Sequence, residues 1–329
     1  MNLKNKPALI FYLLSVLFFC KSQLLLAQWV DHDFPIMGTK VTIRFWLDNE
    51  EKAKLAKEAV IAEMHRINNT MSPYISDSLL SAINTSAAKA PLKISDELFG
   101  LIERSIKISK MTQGAFDITF SSVGYLYDYR LKQKPSTEQL EKTLPLINYQ
   151  AIKLDKKNNS IFFAQSGVKI DLGGIAKGLA VDNSINILKG FGVQEASVTA
   201  GGDTYVLGDN NGKMWQIGIR HPRAESKLIS ILPLADAAVS TSGDYERFFI
   251  EDGKRYHHIL NPKTGKSVSS VQSVTIIADN STLADALSTS VFVLGVEQGL
   301  KLVESLNNVS AIIVDNKGKM FYSADLAEL

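Results

Sequence analysis

The stretch Val168-Lys169-Ile170-Asp171-Leu172-Gly173-Gly174-Ile175-Ala176-Lys177-Gly178 is the pivot of the reading. Val168 and Ile170 alternate about Lys169 as in a short strand, a glycine pair follows, and Leu179 to Leu188 carries a helical pattern. Two glycines between strand and helix let the backbone approach a ligand, the helix N-terminus favours an anion, and Lys177 adds a positive charge one turn in. The spacing is neither a Walker A loop nor a Gly-x-Gly-x-x-Gly fingerprint. Two readings stand side by side: a phosphate site, or a tight strand-to-helix turn whose lysine is solvated.

Working outward, helical periodicity dominates upstream. After a strand with Val41, Ile43, Phe45 and Leu47 on one face, a helix runs from Glu50 to about Asn68, with Leu55, Ala59, Ile67 and the row Ala56, Val60, Met64 facing a core. Ser95-Asp96 opens another helix, and Ser136 with Gln139 forms a capping box for one that ends near Pro145. Beyond Tyr149 come short strands around 151–154, 161–164, 196–199, 203–207, 215–219, 227–232, 245–251, 256–260 and 270–278. A helix over about 282–294 and a hairpin over 310–322, turning at Asn316-Lys317-Gly318, close the chain. Helices early and strands late predict an α+β fold, with mixed helices and largely antiparallel sheets in one continuous globular unit.

With 329 residues, 45% of them hydrophobic and 21% charged, the chain has material for a real core, which excludes a disordered, collagen-like or coiled-coil character. Lys4 and Lys6 precede an apolar run from Ala8 to Cys20, which Lys21-Ser22-Gln23 interrupts before Leu24-Leu25-Leu26-Ala27. The run is too short to span a bilayer, so residues 1–27 read as a signal peptide cleaved after Ala27, leaving a domain over 28–329. Lipid attachment at Cys20 is the rival, disfavoured by the bulky Phe19, and an uncleaved anchor is the other. All three place the globular part outside the cytoplasm, in the periplasm, with anchoring to the inner membrane left open. Cys20 is the only cysteine, so disulfides, cysteine-held zinc and thiol nucleophiles drop out. Loss of Lys4, Lys6 and Lys21 leaves 33 basic against 34 acidic residues, which argues against a grip on nucleic acid.

Further constellations carry chemistry. Asp285 and Thr289 stand four apart and share a helical face; both are hard oxygen ligands of the kind that hold Mg²⁺, although Asp285 also suits a helix start and Thr289 a back-bond to a carbonyl. Ser240-Thr241-Ser242-Gly243-Asp244 is followed by Tyr256-His257-His258-Ile259, and adjacent strand histidines point to opposite faces, so at most one looks into a given site. Gly201-Gly202 is a second glycine pair, either admitting a ligand or forming a bulge.

Together with Met37-Gly38-Thr39, Met71 through Asn84 and Gly114-Ala115-Phe116-Asp117, these segments resemble the ApbE family of FAD:protein FMN transferases over about residues 34–323. The resemblance implies an exported or membrane-anchored enzyme that uses FAD and Mg²⁺ to attach FMN, through a phosphodiester, to a threonine or serine of a target protein, releasing AMP. It places Met37, Tyr74, Ala115, Phe116 and Asp117 around the flavin or adenosine of FAD, and matches Asp171, Lys177 and Ile259 to FAD contacts. For magnesium it implies the Gly174 carbonyl and the side chains of Asp285 and Thr289. Ser288 departs from members that carry a second carboxylate there.

The acceptor hydroxyl must lose its proton as it bonds to phosphorus. His258 is the first candidate for the base because the reference histidine pKa lies near working pH, with Asp244 or Asp171 behind it and Lys177 stabilising charge. Two other classes share these residues: an Mg²⁺-dependent FAD pyrophosphatase with water as nucleophile, and a non-catalytic periplasmic flavin-binding protein, against which Asp285, Thr289 and His258 all weigh.

Overall fold

Alternation of apolar and polar side chains builds the first hairpin. In β2 (Thr39–Leu47) Val41, Ile43, Phe45 and Leu47 are buried while the side chains between them face outward. β2 pairs antiparallel with β1 (Gln28–Ile36), Gln28 opposite Leu47 and Ile36 opposite Thr39. The computed structural model describes residues 28–327, so the leader and Cys20 lie outside the described residues.

β3 (Ala196–Ala200), β4 (Asp203–Leu207), β5 (Ala237–Gly243), β6 (Val271–Ala278), β7 (Ser310–Asp315) and β8 (Met320–Tyr322) complete an eight-stranded sheet. Its spatial order follows the chain from β1 to β8, and every neighbour is antiparallel. The α+β architecture is therefore as expected, but two of its strands have no clear sequence signal. β1 is an edge strand that tolerates Pro35 and several polar residues, and β5 is Ala-Ala-Val-Ser-Thr-Ser-Gly, small and hydroxylic although largely buried.

Helices cover the sheet in two cores. α1 (Glu50–Met71), capped by Asn49, buries Ala56, Val60, Met64 and Ile67 as its periodicity predicts; Leu55, one position off that row, is 50% exposed. With α2 (Leu79–Ser86), α3 (Asp96–Met111) and α4 (Ala176–Gly190) it packs on the β1–β4 half. α5 (Ser281–Glu304) lies on the other half, with Leu287, Val291 and Phe292 against Val274, Ile276 and Ile313. It is apolar and long enough to cross a membrane by composition, but Leu287, Val291 and Phe292 have no solvent exposure, and burial stabilises each by roughly 1.5–3 kcal/mol. α5 continues past the expected end at 294 through a break at Gly295, whose φ is 77°.

Val168-Lys169-Ile170 is the clearest departure from the sequence reading. The segment has no strand partner. The Asn84 side chain replaces one, accepting from the Ile170 N–H at 2.7 Å and donating to its carbonyl at 2.9 Å, while Ser122 Oγ accepts from Lys169 N at 2.9 Å. Similarly, the strand expected over 245–251 is confined to Phe248–Glu251, paired with Lys254–His257 in a separate hairpin.

Candidate active site

The glycine turn brings two helix N-termini together. Gly178, in the first turn of α4, has no room for a side chain: a Cβ there would lie 2.3 Å from the Ser281 carbonyl oxygen. That approach lets each helix cap the other. The Gly178 N–H donates to Asp285 Oδ2 at 3.1 Å, and Asp182 of α4 accepts from Ser281 N and Thr282 N of α5 at 2.8 and 2.9 Å. Gly174 stands over the same spot, where a Cβ would come 3.3 Å from Thr289 Oγ1 and 3.4 Å from the Phe116 ring. Asp171 folds the turn by accepting from Gly173 N at 2.6 Å, and burial pushes its carboxyl up.

Lys177 is neither solvated nor free. Its Nζ lies 2.6 Å from Asp203 Oδ2 and 3.3 Å from both oxygens of Asp285. Both carboxylates are buried, at 1% and 3% exposure, so one ammonium faces two anions in a dry setting. Burial and the neighbouring Asp203 charge push the Asp285 carboxyl up, against the pull of Lys177. Burial opposes the lysine charge in turn, but the two carboxylates outweigh it and hold Lys177 above the ordinary lysine range. Ser240 Oγ donates to Asp203 Oδ1, and Ser288 links it to Ser242 and, through Ser242, to Thr289, at 3.1, 2.8 and 3.3 Å along the chain of hydroxyls.

This donor set fits a hard divalent cation. A net negative charge is left over, and it is bordered by the Asp285 carboxylate, the Thr289 hydroxyl and the backbone of Gly174. Among the described residues no three His, Cys, Asp or Glu side chains cluster, so a cation here would need backbone, water or substrate oxygens to complete its shell.

The two adjacent histidines divide their roles. His257 is buried and tied down, its Nε2 2.6 Å from the Val268 carbonyl and its Nδ1 accepting from Ile259 N at 3.3 Å. His258 is tied only through its backbone, N–H to the Arg247 carbonyl at 3.1 Å, and its Nδ1 is buried with no hydrogen-bond partner. Burial, then the charge of Arg247, pushes its pKa down to about 3. The imidazole is therefore neutral at working pH, and its titration is displaced from the ordinary histidine value on which the sequence argument rested.

Other expected site residues are placed as follows. Met37 turns between β1 and β2 with φ 54°, a strained value for a side chain of its size, and Tyr74 is 83% exposed. Ala115, Phe116 and Ile259 are buried. Asp117 is committed to its own turn, accepting from Thr119 N at 2.8 Å, Thr119 Oγ1 at 2.6 Å and Tyr149 N at 2.9 Å. Asp244 is clamped by Arg223 in two bonds of 2.7 and 2.6 Å, which removes its oxygens from the role of a free base. Gly201-Gly202 is the two-residue turn of the β3–β4 hairpin, with φ 64° at Gly201. Sequence reasoning gave no role to Asp203, Asp182, Asn84 or Arg247; the one available signal was an aspartate directly after a glycine pair.

The sequence model of the ApbE family matches residues 37–313. The chain belongs to the ApbE family. Its similarity extends to the FAD:protein FMN transferases of Treponema pallidum, 30% identical with 89% of this chain and 86% of that protein covered, and of Haemophilus influenzae, 33% identical with 84% of each covered. Among solved structures, the ApbE protein of Thermotoga maritima superposes with a TM-score of 0.83 at 35% identity, covering 92% of this chain and 99% of that one. The flavin transferase ApbE of Vibrio cholerae gives 0.82 at 26% identity, covering 92% of this chain and 99% of that one. The mixed helices and antiparallel sheet of this ApbE chain are thus those of the family.

Proposed function

We propose that this chain is an FAD:protein FMN transferase that moves FMN from FAD to a threonine or serine hydroxyl of a target protein and releases AMP. The observation that carries the reading is the buried, net-negative oxygen cluster at the joined N-termini of α4 and α5, within electrostatic reach of a neutral, unpartnered imidazole. The activity named for the treponemal and Haemophilus relatives supports it.

In this reading Asp285, Thr289 and the Gly174 carbonyl would hold Mg²⁺, and Lys177, anchored by Asp203, keeps the Asp285 carboxylate aimed. The bound cation supplies charge neutralisation for the diphosphate and for the departing AMP. Tyr74 and Met37 offer apolar surface for the flat rings, and the family resemblance assigns the buried Phe116, Ala115 and Ile259 to the same substrate. The acceptor oxygen bonds to the phosphorus on the riboflavin side, the bond from that phosphorus to the AMP oxygen breaks, and the hydroxyl proton passes to His258, whose basicity, depressed by burial and then by the Arg247 charge, rises once the bound diphosphate offsets that charge. The apolar leader over residues 1–27 supports an exported protein, periplasmic or held at the inner membrane, and hence exported redox proteins as acceptors.

Incubation with FAD, Mg²⁺ and candidate exported acceptors, followed by mass spectrometry, tests the reading. A covalent FMN adduct on the acceptor is the expected result. Free FMN and AMP with no adduct would make the protein a pyrophosphatase, and bound but unconsumed FAD would make it a flavin carrier.

A further inference from the structure

The charge balance of the cleft leaves a need that Lys177 does not meet. Its ammonium is committed to Asp203 and Asp285, which still outnumber it, and the Asp171 carboxyl feels the same lysine charge. A dinucleotide diphosphate brings two more negative charges to this place. Some cation from the chain must offset them in addition to any metal.

Arg247 has the required geometry. Its neighbours in sequence and space are spoken for: Arg220 pairs with Glu246, and Arg223 and Arg255 with Asp244. Arg247, by contrast, has no carboxylate within salt-bridge reach among the described residues. Its carbonyl accepts the His258 N–H, which sets the two residues opposite each other across the hairpin. Its guanidinium lies over Gly38 so closely that a Cβ there would be 3.0 Å from Nη2, at a position whose φ of 70° already suits glycine. Met37, the strained residue of the same turn, precedes Gly38 in the chain. The positive charge of Arg247 acts to lower the pKa values of Tyr74, Tyr129, Asp171 and His258. Arg130 reaches Tyr74 and neither of the last two.

We infer that Arg247 binds the diphosphate bridge of the dinucleotide, held in place by the Met37-Gly38 turn, while Lys177 serves as a positioning residue for Asp285. A planar guanidinium with a free edge suits two adjacent phosphate oxygens better than an ammonium does. The inference rests on the transferase reading for its substrate, but its test is a binding measurement that needs no acceptor and no turnover.

The probes are FAD, ADP and riboflavin, titrated by flavin fluorescence or calorimetry into wild type, Arg247→Gln, Arg247→Lys and the control Arg130→Gln. Arg247 is exposed, so its variants keep the core intact, which a thermal melt verifies. Expected is a weakening of FAD and ADP binding in Arg247→Gln by roughly 10- to 100-fold, the range for a lost hydrogen bond to a charged group, with riboflavin affinity unchanged. Partial recovery in Arg247→Lys and unchanged FAD binding in Arg130→Gln complete the pattern. Equal losses for riboflavin and FAD would mean that Arg247 packs on the flavin ring, and unchanged FAD affinity would mean that it is merely solvated; either result overturns the assignment. Failure of the transferase reading looks different: normal, Arg247-dependent FAD binding with no adduct on any acceptor.

Discussion

Replacing Lys177 by methionine keeps the length of the side chain and deletes the one charge that separates Asp203 from Asp285. In the folded protein both carboxylates are almost fully buried, and the lysine contacts are 2.6 and 3.3 Å. Removing one partner of a buried ion pair costs about 3–5 kcal/mol. The lysine side chain keeps 24% exposure, so water can enter in its place, and the lower end, about 3 kcal/mol, is the expected loss. For a chain of about 300 folded residues, with about 2.1 cal/mol/K of unfolding entropy per residue, that corresponds to a fall in Tm of roughly 5 °C. Urea and thermal melts of Lys177→Met and of Lys177→Met combined with Asp203→Asn provide the assay. The double variant leaves a single carboxylate with its hydroxyl partners and should recover most of the loss. The pH window lies above that of an ordinary ion pair. A carboxyl raised above its unfolded pKa binds its proton in the folded state first, so the deficit of Lys177→Met should shrink as pH falls through that raised value. A single variant within 1 kcal/mol of wild type, or a double variant no better than the single, would refute the view of Lys177 as a structural counter-charge.

Asp285→Ala should lose transfer by more than the roughly 10- to 100-fold typical of an outer partner of a metal site, while leaving Lys177 and Asp203 paired one to one and the fold near wild-type stability; a magnesium titration monitored by calorimetry and by adduct formation checks both halves. For His258 the folded pKa is depressed to about 3, so below the ordinary histidine range the unfolded chain takes up a proton that the folded chain refuses. Stability should therefore fall as pH drops from about 6.5, by up to about 1.4 kcal/mol per unit, and His258→Asn should flatten that slope in urea melts between pH 7 and 5; parallel slopes would contradict it. Gly178→Ala must push a methyl into the Ser281 carbonyl, so a loss of about 1–3 kcal/mol or more is expected, together with weakened FAD transfer, whereas Gly190→Ala, with open space around it, provides the matched control.

Where the period of hydrophobicity was strong the chain was legible. The alternation of Val41, Ile43 and Phe45, the row Ala56, Val60 and Met64, and the Ser136–Gln139 capping box all form as read. Strand β5 was not, because its residues are selected to hold hydroxyls against Asp203, Ser288 and Thr289 and carry little apolar contrast. Val168–Ile170 misled in the other direction, since an asparagine 86 positions away in sequence supplies the bonds that a neighbouring strand would supply. In the site, residue types were readable but their partners were not. Lys177 at a helix start reads as an anion binder until Asp203 and Asp285 arrive from distant segments, and Arg247 gains its meaning only when the hairpin sets it opposite His258.

With a cation held as proposed, the mutual capping of α4 and α5 would give the protein an internal gauge of occupancy. The Asp285 oxygen that receives the Gly178 N–H belongs to the carboxylate best placed to greet a cation, so charge drawn toward a metal is charge withdrawn from that amide. Gly178 would report this through its backbone proton, at a crossing with no room for a side chain. Its amide resonance and exchange rate should track the filling of the site while the reciprocal amides at Ser281 and Thr282, held by Asp182, stay still. A single pair of helices thereby supplies both the signal and its reference, and the cation affinity of the resting protein becomes measurable without a turnover ever taking place.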